Sequence, residues 1–178
     1  MIVGLTGYKQ SGKDTAAKAL IEQGWTRYAL ADPLRQVCCA LFGWSAERVA
    51  DKATIDPYWG ISPRQALQRV GTELIRNHFQ AVLPESENIW TRLLRKAYAE
   101  CDCNMIVTDV RFPDEAETIH ELGGVLIRVT RPGCKPDGHE SESYIENLPA
   151  DYSIANDDTP QTLQNRLIMA AYLHVQKT

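Results

Sequence analysis

The segment from Gly7 to Lys13 limits the fold of this chain more than any other feature of its sequence. It reads Gly-Tyr-Lys-Gln-Ser-Gly-Lys, which matches the pattern G-x-x-x-x-G-K, and it follows the apolar run Ile2–Thr6. Helical spacing over residues 14–23, with Gly24 as a stop, predicts a helix directly after it. A strand, a glycine-rich loop and a helix in this order form a site where backbone N–H groups and a lysine surround phosphate groups. The sequence therefore predicts a phosphate-binding loop at the end of a buried strand.

Two carboxylates are candidate ligands for Mg²⁺ at this loop. The motif normally continues with Ser or Thr as the metal ligand, whereas this chain has Asp14 and then Thr15. Asp14 could bind the metal directly or through water, or it could stabilise the first helical turn through the helix dipole. Asp109 follows the apolar run at 105–107, at a strand end from which an acid reaches the metal of such sites. We predict Asp109 as a metal ligand; the alternative is a cap for the helix after Pro113.

The rest of the chain alternates apolar runs with segments of helical spacing. Further strands are predicted over residues 25–30, 125–129 and 152–155. Helices are predicted over 33–42, 63–83, 86–100, 114–122 and 160–175, with caps that include Asp32, Ser62, Ser86 and Thr159. This alternation predicts an α/β sandwich of three layers, with a parallel sheet and helices on both faces. At 178 residues we expect a single domain, 1–178.

Composition excludes several classes of partner. The net charge of -4 provides no basic field for nucleic acid or for an anionic membrane. No run of 18 apolar residues and no signal peptide are visible, so we expect a soluble cytoplasmic protein. The five cysteines are odd in number and lack C-x-x-C spacing, which predicts reduced thiols, Cys101 and Cys103 included.

Arginines are the candidate groups for binding the transferred phosphate, because the planar guanidinium binds phosphate through two hydrogen bonds. Arg111 comes two residues after Asp109. Arg131 ends a predicted strand and precedes a polar stretch, 134–143, that is typical of a mobile lid. We predict Lys13, Arg111 and Arg131 as catalytic cations. His139 in the lid is either a general base or part of a solvated loop.

Five sequence blocks span nearly the whole chain: residues 7–15, 31–35, 62–68 with 71–73, 108–115, and 139–142 followed by Asn156. Together they resemble the phage-type deoxynucleoside monophosphate kinases of the P-loop nucleoside monophosphate kinase superfamily. The resemblance implies ATP and Mg²⁺, with adenine near Asn156. It implies nucleotide contacts from the loop, at Gly7, Lys9, Ser11, Gly12, Lys13, Asp14 and Thr15. It also implies a helical insert that binds the acceptor through Asp32, Arg35, Arg64, Gln68 and Arg76.

The expected function is transfer of the γ-phosphate of ATP to a deoxynucleoside monophosphate, for DNA precursor synthesis in a bacterium or a phage-infected host. The expected partners are small molecules, with neither nucleic acid nor membrane, and a homodimer is left open. One alternative is an enzyme like dephospho-coenzyme A kinase, whose loop usually carries Lys-Ser or Lys-Thr instead of Lys13-Asp14. The other is a non-catalytic nucleotide-binding switch, in which the acceptor arginines would have no task.

Overall fold

The fold is built on a parallel β-sheet. The computed structural model describes residues 1–78, 88–135 and 140–176. Its strands are β1 (Ile2–Thr6), β2 (Thr26–Tyr28), β3 (Met105–Val107), β4 (Val125–Thr130) and β5 (Tyr152–Ala155). They pair in the order β2-β3-β1-β4-β5, and every pair is parallel. The predicted parallel sheet is confirmed. Because β1 is the central strand, the phosphate loop that follows it lies at the middle of the sheet edge.

Side chains alternate along β1 between the two faces of the sheet, and helices pack on both faces. Val3 and Leu5 belong to the core that also contains residues of α1 (Lys13–Ile21) and α8 (Pro160–Val175). Gly4 lies on the opposite face, where a Cβ atom would come within 3.0 Å of Cγ1 of Ile119. Ile119 belongs to α6 (Pro113–Glu121), so glycine at this position permits close packing of that helix.

By its internal contacts the chain divides into two compact units. The sheet unit comprises Met1–Ala29 and Leu94–Thr178, and it also contains α7 (Glu140–Ser143) and a 3-10 helix (Ile145–Asn147). The helical unit is Leu30–Leu93. It contains α2 (Ala31–Phe42), α3 (Ala46–Ala50), α4 (Pro63–Gln68), a π-helical segment (Arg69–Arg76) and the start of α5 (Ile89–Glu100). The single domain stays a prediction.

Two helix starts differ from the predicted ones. Helix α2 begins at Ala31, so Asp32 lies in its first turn and is not the cap. The helix starts before Asp32-Pro33 because proline is tolerated throughout the first turn. The N–H groups of that turn have no hydrogen-bond partner within the helix, so a missing N–H there costs nothing. At α5 the side chain of Asn88 accepts a hydrogen bond from the backbone N–H of Trp90 at 2.9 Å. Asn88 therefore caps α5, and the predicted cap Ser86 lies outside the described residues.

The helix predicted over 63–83 is only partly α-helical. It changes to π-helix at Arg69, and its last residues lie outside the described part of the chain. A π-helix bonds residue i to i+5 instead of i+4, so α-helical spacing does not describe residues 69–76. Leu74 in this segment is 56% exposed. Gly71 packs against Leu34 of α2, where a Cβ atom would collide with that leucine.

The structure places the sulfur atoms of Cys101 and Cys103 side by side at the turn between α5 and β3, and their oxidation state stays a prediction. Their Cα atoms are 5.2 Å apart, the short separation that a turn gives to residues two positions apart. Cys38, Cys39 and Cys134 are free. Within the described ranges, no helix has the length and apolar character needed to cross a bilayer.

Candidate active site

The phosphate loop connects β1 to α1 through three residues with positive φ. These are Gly7 at 138°, Gln10 at 65° and Gly12 at 105°. A Cβ atom on Gly7 would collide with the backbone carbonyl of Val129, so no larger residue fits there. The glycines of the motif are therefore required by backbone conformation and, at Gly7, by the close approach of β4.

The side chain of Lys13 turns back over the loop. Its Nζ atom donates hydrogen bonds to the carbonyl oxygens of Gly7 at 2.6 Å and Tyr8 at 2.9 Å. Burial, followed by the nearby charge of Arg111, lowers the pKa of Lys13 to about 8. Three carboxylates act in the opposite direction on this pKa, namely Asp14, Asp109 and Glu142. The loop thus holds an ammonium group whose protonation responds to the charges around it.

The two predicted metal ligands both lie at this end of the sheet. Asp14 is exposed in the first turn of α1, and Asp109 follows β3. The N–H of the next residue, Val110, bonds to the carbonyl of Leu5 at 3.0 Å and ties the segment to β1. Across the described residues no cluster of three metal-binding side chains occurs.

The cap of α6 is provided by Glu115, a buried residue. Its carboxylate accepts the backbone N–H groups of Arg111 at 2.8 Å and Phe112 at 3.2 Å. The residue at the N-cap position of α6 is Phe112, and the role of Asp109 as a metal ligand stays a prediction. Glu115 takes this position because a carboxylate three residues into a helix can bond back to N–H groups before it.

Two of the predicted cations lie beside the loop. Arg131 is exposed, and its guanidinium donates to the carbonyl of Gln10 at 3.4 Å. The charge of Arg111 acts on Lys13, as its effect on that pKa shows. Arg128, in contrast, donates to the carbonyls of Ile145 at 3.2 Å and Leu148 at 2.6 Å, which secures the 3-10 helix. His139, left open between a base and a solvated loop, lies outside the described residues.

Asn156 lies against the phosphate loop. Its side-chain amide donates to the carbonyl of Ser11 at 2.8 Å, although the two residues are 145 positions apart in sequence. Because the amide also lies over Gly12, a Cβ atom at that glycine would collide with it. The contact with adenine that the family resemblance implies stays a prediction.

A pocket of about 230 Å³ opens beside the loop, between Tyr8, Ser11, the end of β4 and the 3-10 helix. The Oγ atom of Ser11 is buried there and has no hydrogen-bond partner in the described part of the chain. The hydroxyl of Tyr8 donates to Glu146. Burial and this carboxylate raise the pKa of Tyr8 to about 12. The pocket therefore offers a buried hydroxyl beside the phosphate loop.

Glu142 is a site residue that the sequence interpretation missed. Glu142 belongs to the polar stretch 134–143, for which a solvated loop was considered, but it is only 1% exposed. Its carboxylate accepts the backbone N–H of Lys9 at 3.3 Å. The only signal in the sequence was its place in the block at 139–142, and nothing in that block indicated a contact 133 residues away.

The predicted acceptor residues all belong to the helical unit. Asp32 and Arg35 form an ion pair with each other one turn apart on α2. Helix α2 packs against α4, which carries Arg64 and Gln68, and against the π-helical segment, which ends at Arg76. Helix α4 starts with reciprocal hydrogen bonds between Ser62 and Gln65, as its cap signature predicted. Three adjoining elements therefore carry the predicted acceptor residues, which are Asp32, Arg35, Arg64, Gln68 and Arg76.

Known proteins share the sequence and the fold. The sequence profile described as deoxynucleotide monophosphate kinase matches residues 47–167, a region that begins after the phosphate loop. A protein of Acanthamoeba polyphaga mimivirus, provisionally named deoxynucleotide monophosphate kinase, is 36% identical over 94% of this chain and 94% of its own. The deoxynucleoside-5'-monophosphate kinase of Escherichia phage T5 is 28% identical, over 85% of this chain and 86% of its own.

Solved structures add a similarity of fold alone. The dephospho-CoA kinase from Campylobacter jejuni aligns with a TM-score of 0.50 and 14% identity, over 99% of this chain and 98% of its own. The family profile covers more than half of the sequence, and the mimivirus relative aligns along almost all of it. This chain belongs to the deoxynucleotide monophosphate kinase family.

Proposed function

We propose that the protein transfers the γ-phosphate of ATP to a deoxynucleoside monophosphate. The observation that carries the proposal is Lys13, held inside a glycine-bounded loop with Arg131 at its edge, in a chain of this family. The expected reactants are small molecules in the cytoplasm, with neither nucleic acid nor membrane as a partner. The likeness to dephospho-CoA kinase concerns the fold and gives no reason to prefer that acceptor.

Positioning and charge neutralisation provide the catalysis. The ammonium of Lys13, now bonded to loop carbonyls, would turn to the phosphate oxygens of ATP, while Arg111 and Arg131 would neutralise the charge on the moving group. The acceptor is a phosphate that is already ionised at neutral pH, so neither a protein nucleophile nor a strong base is needed. The buried hydroxyl of Ser11 provides one more donor to the phosphates.

Mg²⁺ fits the donor set at this site. Asp14 and Asp109 provide hard oxygen ligands near Lys13, and Mg²⁺ is usually held by one or two carboxylates together with substrate phosphates. When bound, the ion would neutralise phosphate charge and orient the γ-phosphate. Asp14 and Asp109 would hold it, with Thr15 as the other candidate ligand on α1.

Acceptor binding is assigned to the helical unit. We propose that Arg64 anchors the acceptor phosphate, with Gln68, Arg35 and Asp32 around the nucleotide and Arg76 as a further cation. The ion pair with Asp32 orients Arg35 before the acceptor arrives, which lowers the entropy lost on binding.

The deciding experiment is an acceptor screen. The protein is incubated with ATP, Mg²⁺ and each deoxynucleoside or ribonucleoside monophosphate, or with dephospho-coenzyme A, and the products are identified by mass. We expect a deoxynucleoside diphosphate and ADP. Phosphorylated dephospho-coenzyme A, or nucleotide binding without any phosphorylated product, would contradict the proposal.

A further inference from the structure

The position of Asn156 is set by contacts on each side of it. Its backbone N–H bonds to the carbonyl of Thr130 at 2.7 Å and extends the pairing of β4 with β5 by one residue. Arg166 of α8 donates to the carbonyl of Ala155 and to the carboxylate of Asp157. A residue flanked by anchored neighbours presents its side chain in a defined direction, and this direction is toward the phosphate loop.

The contact that Asn156 makes is with the backbone of the loop. Its Nδ2 donates to the carbonyl of Ser11 at 2.8 Å and lies over Gly12. Gly12 has a φ of 105° and is the N-cap residue of α1. Leu163 of α8 also lies at Gly12, because a Cβ atom there would be 3.2 Å from its Cδ2. Helix α8 and the residue after β5 therefore support the loop where it turns into the helix.

Resting on the kinase function proposed above, we propose that Asn156 is a positioning residue that holds the phosphate loop in its binding conformation. A peptide unit is planar, so a hydrogen bond that fixes the carbonyl of Ser11 also fixes the opposite direction of the N–H of Gly12. The N–H groups at this turn and at the start of α1 are those that bind phosphate in such loops. Asn156 thus acts on the phosphates through the loop, whatever base the nucleotide carries.

A role in positioning the loop and a role in recognising adenine predict different effects of an Asn156 substitution on nucleotide affinity. A residue that reads the base changes the preference among nucleotides, whereas a residue that shapes the loop changes affinity for every triphosphate by the same factor. Inorganic tripolyphosphate has no base and no sugar, and it is therefore the probe that separates the two. The comparison needs dissociation constants for ATP, GTP and tripolyphosphate at one Mg²⁺ concentration.

The test variant is Asn156→Ala, with Asn165→Ala as its matched control. Asn165 lies on α8, is exposed and bonds only to the neighbouring Gln161 among its described contacts, at 3.0 Å. Loss of one hydrogen bond predicts affinity weaker by about three- to tenfold for all three ligands. The ratio of ATP to GTP affinity stays as in the unmodified protein, the KM for the monophosphate stays unchanged, and the control binds normally.

Two results would overturn this role. One is a loss confined to ATP with normal tripolyphosphate binding, which would make Asn156 a reader of adenine; the other is unchanged affinity for all three ligands. If Asn156→Ala does not fold, Asn156→Leu keeps a similar volume without a donor and provides the same comparison. An unmodified protein that phosphorylates no monophosphate, yet binds tripolyphosphate in an Asn156-dependent way, would refute the kinase proposal and leave this one standing.

Discussion

Replacement of Lys13 by methionine separates its catalytic role from its structural one. Methionine keeps the unbranched side chain but removes the ammonium group. Burial lowers the pKa of Lys13 from its ordinary 10.5 to about 8, so folding disfavours the charged form by about 3 kcal/mol at neutral pH. The two hydrogen bonds to the carbonyls of Gly7 and Tyr8 each stabilise the folded state by about 1.5–3 kcal/mol. Together the two bonds contribute about 3–6 kcal/mol, so the net contribution of the ammonium group to folding lies between zero and about 3 kcal/mol.

The free energy of unfolding of Lys13→Met should therefore equal that of the unmodified protein or lie below it by at most about 3 kcal/mol. Turnover should fall by about a hundredfold or more, since one preorganised charge is lost from the transition state. Denaturant titration measures the first quantity and steady-state kinetics the second. Lys18→Met, at an exposed position near the end of α1, is the matched control and should change neither. A folded Lys13→Met enzyme with near-normal turnover would refute the role assigned to the loop.

Three further predictions concern the metal, the acceptor and pH. Asp109→Asn should lower activity and weaken the Mg²⁺ dependence, because one anionic ligand becomes neutral; an Mg²⁺ titration with the same midpoint and rate would contradict this. Arg64→Ala should raise the KM for the monophosphate strongly and leave the KM for ATP nearly unchanged, as kinetics with each substrate varied in turn will measure. Its control, Arg69→Ala, removes an exposed arginine and should change neither constant. Affinity for ATP should fall as pH rises from 7 to 9, because Lys13 loses its proton through a pKa of about 8. Over the same range the free energy of unfolding should rise, because the folded protein no longer holds a buried charge while the unfolded chain retains the proton up to about 10.5. Calorimetry that shows equal ATP affinity at both pH values would contradict this prediction.

Local sequence signals predicted the sheet and the phosphate loop well. Strands β1 and β3 are short apolar runs, and the loop motif depends on seven consecutive residues that include two glycines with positive φ. The start of α8 at Pro160, after the cap Thr159, was also predicted. Such features depend on neighbours in sequence, so the sequence contains what is needed to predict them.

The helical unit shows where local rules fail. α-Helical spacing predicted one helix over 63–83, but the chain changes to π-helix at Arg69, and the close packing of Gly71 on Leu34 lies in this region. Periodicity assumes one helix type throughout, and nothing in a single sequence marks the change. Asp32 was displaced from cap to first turn for a related reason, since proline tolerates several early helical positions.

The sequence by itself predicted a phosphate-binding loop after the first strand, and it determined which residue types form that loop. Only the tertiary structure decided that Glu142 bonds to Lys9, that Arg131 reaches Gln10 and that Asn156 holds Ser11. These pairs are 133, 121 and 145 residues apart in sequence. They meet because parallel strands bring their carboxyl ends to one edge of the sheet, so that segments distant in the chain become neighbours there.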